Sequence, residues 1–192
     1  MRELKNVEEK ILDATLYLIG KTGTCNVPIR AIAKEAGVNV CAINYYFRTK
    51  EEMLRHTKEF FVNNSIGIYS ILDNEEYSKE DRLVLFANEI MEYTLHYSGL
   101  AAIFKESDRL KEEDEISRTI LQVTKELHNK MMNILYDVTK SDPFASRYNS
   151  VIFMSALVYP SEKPEFYNHD RNFLTEKEQR IAYIKHIINL MK

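Results

Sequence analysis

Little in this 192-residue sequence breaks a helix: it contains four Pro, five Gly and no Trp. So few turn-formers cannot serve a sandwich or barrel of many short strands, and long helices in an all-α fold are expected. Cysteine is equally scarce. Cys25 and Cys41 lie in one short region without a Cys or His companion at ligand spacing. Neither a disulfide framework nor a zinc site is supported, two reduced thiols are expected, and no metal or cofactor is expected. Long apolar runs are missing too. The longest uncharged stretches, about 60–72 and 148–161, contain Asn, Ser or Pro and fall short of the roughly 18 residues a membrane span needs. The first ten residues mix three Glu with three basic residues, so no apolar signal core forms there and a cytoplasmic protein is expected. Enzyme signatures are lacking: we find no Glu-x-x-His pair, His-Glu-x-x-His, Gly-rich phosphate loop or Gly-x-Ser-x-Gly elbow. The acidic run Glu112-Glu113-Asp114-Glu115 reads as a solvated helix start rather than a metal site.

What remains is 45% hydrophobic and 29% charged, enough apolar material for a packed core and too much for a disordered chain. The net charge of −3 argues by itself against a nucleic-acid partner, but it is unevenly spread. Residues 1–60 carry ten Lys and Arg against eight Asp and Glu, whereas the remaining 132 carry sixteen against 21. The acidity belongs to the second part.

Helix signals follow in order. Asn6 with Glu9 forms a capping-box pattern, and Val7, Ile11, Ala14 and Leu18 make the apolar stripe of a helix running to about Gly20. Pro28 suits the first turn of a short second helix with Ile29, Ile32, Ala33 and Ala36 inside, and Gly37 suits a left-handed stop. Asn39 is the expected N-cap of a third short helix to about Phe47, and Thr49 that of a fourth. Later stripes predict helices from Ser78 to about Tyr97, over 116–138, over 145–159 and from Thr175, with Pro160 and Pro164 opening a polar loop.

Residues 28–47, PIRAIAKEAGVNVCAINYYF, have the form of a helix-turn-helix: a short helix with small Ala33 at the contact point, a Gly turn, a polar cap and a second short helix. On that second helix Val38 and Ile43 can face inward, while Val40, Cys41, Ala42, Asn44 and Tyr45 can project outward. Ala42 can touch a thymine methyl, and Asn44 has the donor and acceptor to read adenine. Arg30 can reach guanine or phosphate; Tyr46, Thr49 and Lys50 supply hydroxyls and charge for the DNA backbone at a helix N-terminus.

On these residues the chain resembles the tetracycline-repressor (TetR) family of bacterial transcription regulators. Ile32-Ala33-Lys34-Glu35-Ala36-Gly37-Val38, Ile43-Asn44-Tyr45-Tyr46-Phe47 and Lys50-Glu51-Glu52-Met53-Leu54 carry the likeness, which covers about 7–58. Pro28 stands where the family often has a phosphate-contacting Thr or Ser, and Asn44 where Tyr is common. The resemblance implies phosphate contacts from Tyr46 and Lys50 and a major-groove face of Arg30, Val40, Cys41, Ala42, Asn44 and Tyr45. It also implies a helix-turn-helix domain over 1–50 and a helical effector-binding and dimerisation domain over 51–192, the helix from about 51 linking the two. A homodimer through about 145–159 and 175–191 would bind a palindromic double-stranded operator.

Those last two segments are more apolar than one buried stripe requires, through Val151, Ile152, Met154, Leu157, Val158, Ile184, Ile187, Ile188 and Met191. A small-molecule effector is expected among the middle helices, where Phe61, Tyr69, Phe86, Ile90, Tyr93, Tyr97, Phe104, Met131, Leu135 and Phe153 are candidate pocket residues, each of which also suits a core. A helical ligand-binding or protein-interaction module without DNA explains that interior, but not the motif at 28–50.

Overall fold

A computed structural model describes residues 6–163, 166 and 172–192; among them there are helices and no strands. Helix α1 (Val7–Thr22) begins where the Asn6 carboxamide accepts the Glu9 N–H at 2.9 Å and ends at Gly23, whose left-handed φ of 68° lets its N–H reach the Ile19 carbonyl. Helix α2 (Ile29–Glu35) starts one residue later than expected. Pro28 stays outside with extended ψ, its carbonyl accepting from Ala31 and Ile32. Helix α3 (Val40–Tyr46) is capped by Asn39, which accepts from the Ala42 N–H at 2.7 Å. Helix α4 (Lys50–Tyr69) follows, capped by Thr49, and leads into a 3-10 turn, Ser70–Asp73. Beyond lie α5 (Lys79–His96), α6 (Ala101–Leu110), α7 (Glu115–Thr139), α8 (Pro143–Glu162), α9 (Asn172–Thr175) and α10 (Lys177–Leu190).

Three of these depart from the sequence expectation. Helix α6 was not anticipated, because only Ile103 and half-buried Phe104 and Leu110 mark its inner side among charged neighbours. Pro160 lies inside α8 instead of ending it. Its missing N–H would have served the Ala156 carbonyl, and that oxygen instead accepts the Tyr183 hydroxyl at 2.8 Å, so the helix loses no buried partner. Thr175 does not cap the last helix: it closes α9, and Glu176 precedes α10 as an N-cap that makes no side-chain cap hydrogen bond. Pro164 lies outside the described residues.

The chain divides into two compact units: the first takes residues up to Ser65 together with His96–Thr124, the second Ile66–Leu95 with Lys125–Lys192. In the first, α1 packs on α2 and α6, and α2 on α3, around buried Ile11, Leu16, Ile19, Ile32, Ile43, Phe47 and Met53. Gly20 and Gly99 let two backbones touch. A Cβ on Gly20 would fall 2.1 Å from the Ser98 carbonyl oxygen, and one on Gly99, at φ +80°, 2.3 Å from that of Gly20. In the second unit Leu83, Phe86, Met91, Met131, Leu135, Phe153, Leu157 and Ile184 form the core. Buried Arg180 holds its polar side: it donates to the Leu174 and Thr175 carbonyls at the end of α9, to the Asn88 side chain at 3.1 Å, and pairs with Glu92.

Gly20→Ala should therefore destabilise the protein by at least about 2 kcal/mol, since backbone cannot retreat as a side chain does. Gly67, inside α4 with nothing near a added Cβ, should behave oppositely, Gly67→Ala gaining about 0.5–1 kcal/mol. Urea unfolding of the two variants beside the parent checks both signs.

Candidate nucleic-acid interface

The turn between α2 and α3 is a Schellman stop: Gly37 at φ +67° donates to the Lys34 carbonyl, and Val38 to that of Ala33 at 2.9 Å. It brings Asn39 to the head of α3. From there one side of α3 goes inward through Ile43, and Phe47 just beyond the helix is buried at 2% exposure with its ring 5.6 Å from that of His56 on α4. The other side is open. Cys41, Asn44, Tyr45 and Tyr46 are exposed, Tyr45 at 83%, while Val40 and Ala42 are half-buried beside them. Arg30, in the first turn of α2, is exposed as well.

At the head of α4, the Thr49 hydroxyl oxygen accepts the Glu52 N–H at 3.0 Å, which leaves its own hydrogen to donate outward. Glu52 turns back to accept the Arg48 N–H at 3.0 Å. Lys50 reaches across to the loop before α2, its Nζ donating to the Asn26 Oδ1 at 2.7 Å. The Thr49 hydroxyl, the Asn26 carboxamide and the Lys50 ammonium thus gather at a helix N-terminus, a set that suits phosphate, while the exposed Asn44 amide and Arg30 have the groups that read base edges. No spacing signal marked Asn26, because its partner lies 24 residues on.

Residues 11–57 match the family model described as bacterial regulatory proteins, tetR family. This segment belongs to the TetR family. The TetR match covers α2, α3 and the start of α4, the elements that carry the open surface. A probable HTH-type transcriptional regulator of Bacillus subtilis (strain 168), YttP, is 29% identical over 97 residues, 50% of this chain and 47% of that relative, so the match spans about half the relative's length. Solved TetR-family regulators share the fold. One from Bordetella parapertussis is 13% identical with a TM-score of 0.69, covering 97% of this chain and 94% of that one. One from Legionella pneumophila is 18% identical with a TM-score of 0.64 over all of both chains. The regulator FadR of Bacillus subtilis, solved with stearoyl-CoA, is 17% identical with a TM-score of 0.56, covering 95% and 96%.

The ten candidate pocket residues fall in both units. Tyr69, Phe86, Ile90, Tyr93, Met131, Leu135 and Phe153 are buried in the second, where Tyr69 and Phe86 meet edge to face at 4.6 Å. Burial pushes the Tyr69 phenol up to about 12, so it stays neutral. Phe61, Tyr97 and half-buried Phe104 belong to the first, with Phe61 against Phe104 at 5.5 Å and the Tyr97 hydroxyl on the Asp13 carboxylate. A cleft of about 590 Å³ in the second unit is lined instead by Leu72, Ile134 and polar groups including Asp73, Arg82, Glu126 and Lys130. A further cleft of about 540 Å³ in the TetR-side unit has Ile19, Leu54, Ile103 and Ile116 with the Cys25 thiol, which burial and then Glu106 push up.

Along that cleft lies the most buried ion pair among the described residues of the first unit. The nearly buried Lys58 ammonium donates to Asp114 at 2.7 Å and to Ser117 at 2.9 Å. Asp114, from the acidic run, is thus not merely solvated. Partial burial pushes its carboxyl up, but the hydrogen bonds from Lys58 and Ser117 and the Lys58 charge outweigh this and hold it below its ordinary value. A carboxyl lowered on folding stabilises fully above the ordinary range near pH 4, and that contribution is lost as pH falls through the folded value. Asp114→Asn strands the Lys58 charge and should cost about 2–4 kcal/mol at neutral pH. The loss should shrink toward pH 3, as acid-dependent urea unfolding will read.

Proposed function

We propose that the protein is a cytoplasmic, ligand-responsive transcriptional repressor that binds a palindromic operator as a homodimer. The observation that carries the DNA-binding part is the open side of α3, with Asn44 and Tyr45 outward and Ile43 inward, beside the Lys50 and Thr49 group at the head of α4. Asn44 and Arg30 read base edges; Tyr46, Thr49 and Lys50 hold phosphates and set the register. No step of this reading needs catalysis, and among the described residues no group of three or more His, Cys, Asp and Glu gathers to hold a metal.

Support for the homodimer comes from α8. Phe144, Tyr148, Val151, Ile152, Ser155 and Tyr159 are exposed at spacings that form one stripe, with Val151 at 63%, opposite the buried Phe153 and Leu157. Helix α10 contributes less than its composition promised. Its Ile184, Ile187 and Ile188 are consumed by the protein's own core, leaving Leu190 exposed. A two-fold partner covering the α8 stripe would set two copies of α3 for successive major grooves. The effector is a small molecule, unidentified; the stearoyl-CoA carried by the FadR neighbour supports a ligand role for this fold. It acts by binding the arrangement that does not fit DNA more tightly, which shifts the population away from the operator.

Selection of bound duplexes from a random pool, followed by affinity measurements over a range of salt, tests the reading. Asn44→Ala should lose about 1–3 kcal/mol of discrimination at particular bases, whereas Lys50→Ala should weaken all sequences alike and reduce the salt slope by about one. A Lys50→Ala protein with altered base preference and an unchanged slope overturns these roles. Val151→Asp should yield monomers in sedimentation while retaining the helical spectrum; a monomeric parent that still protects a two-fold site sinks the dimer.

A further inference from the structure

Lys50 occupies the first position of α4, where the helix dipole disfavours a cation. Two carboxylates follow it, Glu51 and Glu52, yet its ammonium goes to neither: Glu52 is engaged by the Arg48 N–H, and Lys50 bonds the Asn26 carbonyl oxygen at 2.7 Å. A neutral acceptor fixes the direction of an ammonium without cancelling its charge. Two of its three hydrogens stay free.

The loop that presents Asn26 is itself held. Its own N–H donates to the Thr24 hydroxyl at 3.1 Å, the next residue, Val27, is buried at 1% exposure, and Pro28 then fixes the entry to α2. Asn26 is therefore an anchored residue reaching a flexible one. Four-carbon lysine stems lose considerable rotamer freedom when they clamp a ligand, and a prior hold on the ammonium removes part of that loss before DNA arrives.

We propose that Asn26 is a positioning residue for DNA binding: its side-chain carbonyl aims the charged Lys50 ammonium at a backbone phosphate, and its own NH2 faces the same phosphate as an additional donor. This rests on the DNA-binding reading above. Because phosphate contacts carry no sequence information, a labelled mixed-sequence duplex of about three helical turns is a sufficient probe.

The test compares the parent with Asn26→Ala, Asn26→Asp, Lys50→Ala and Asn26→Ala/Lys50→Ala, each titrated at several NaCl concentrations. Asn26 is exposed, and thermal melts establish that each variant is folded. Asn26→Ala should weaken binding roughly three- to tenfold, about the net contribution of one ordinary hydrogen bond, since the ammonium keeps its charge and loses only its aim. In the Lys50→Ala background the same change should cost clearly less, since the residue acts mainly through Lys50. Asn26→Asp keeps an acceptor in place but neutralises the ammonium, so its salt slope should fall by about one, as for Lys50→Ala. A residue that only shaped the loop would lose as much binding with Lys50 absent as with it present. An unchanged slope in Asn26→Asp, or an Asn26→Ala loss undiminished when Lys50 is absent, overturns the positioning role while leaving DNA binding standing. A folded parent that fails to bind the duplex at any salt overturns both.

Discussion

A seven-residue helix cannot hold itself in water, and α3 has seven residues. With Ile43 its one fully buried side chain, its order has to be imported. The Schellman stop at Gly37 fixes the incoming chain, the Asn39 cap satisfies an orphan N–H, and Phe47 anchors the exit next to His56. Those three supports use side chains at the two ends and on the inner face. The outer face is left without structural duty, which is what allows Asn44 and Tyr45 to be chosen by a partner rather than by the fold.

The supports need a rigid base, and both units secure one with a buried cation. Among the described residues, Lys58 and Arg180 are the charged side chains taken out of water. Each meets acceptors far along the chain: Asp114 and Ser117 for Lys58, Asn88, Glu92 and the carbonyls ending α9 for Arg180. Such groups contribute little net stability against an apolar replacement, yet any packing that separates them from their partners leaves a bare charge. They act against wrong registers more than they add to the right one. The same logic covers Pro160, tolerated because the carbonyl it frees is met by Tyr183.

Much of this was legible in the sequence, and the division is physical. Local chemistry was readable: the caps at Asn6, Asn39 and Thr49, the left-handed Gly37 and the inward Ile43 are each set by a few neighbouring residues. Interactions between distant segments were not. Pro160 looked terminal because Tyr183 lies 23 residues on; Thr175 resembled a cap because the pattern does not reveal that Arg180 takes its carbonyl. The isoleucines of α10 resembled a partner face, since an apolar side chain gives no sign of whose core it fills. Helix α6 escaped because its apolar side chains are few and stand among charged neighbours, and the close approach of Gly20 to Ser98 and Gly99 just before it involves backbone, which gives no periodic signal. The pocket aromatics were likewise ambiguous, and they lie in two separate units, all buried but the half-buried Phe104.

The charge count shows the same limit. Residues 1–60 are only slightly basic and the rest is acidic, so long-range attraction to DNA is weak and little affinity comes from net charge. Near a phosphate, however, the relevant quantity is which charges point outward. At the head of α4 one lysine stands with two glutamates, a net negative turn on paper. Glu52 is folded back onto the Arg48 N–H, and Lys50 is drawn toward Asn26. The field at the surface thus depends on hydrogen bonds that orient charges as well as on how many charges there are.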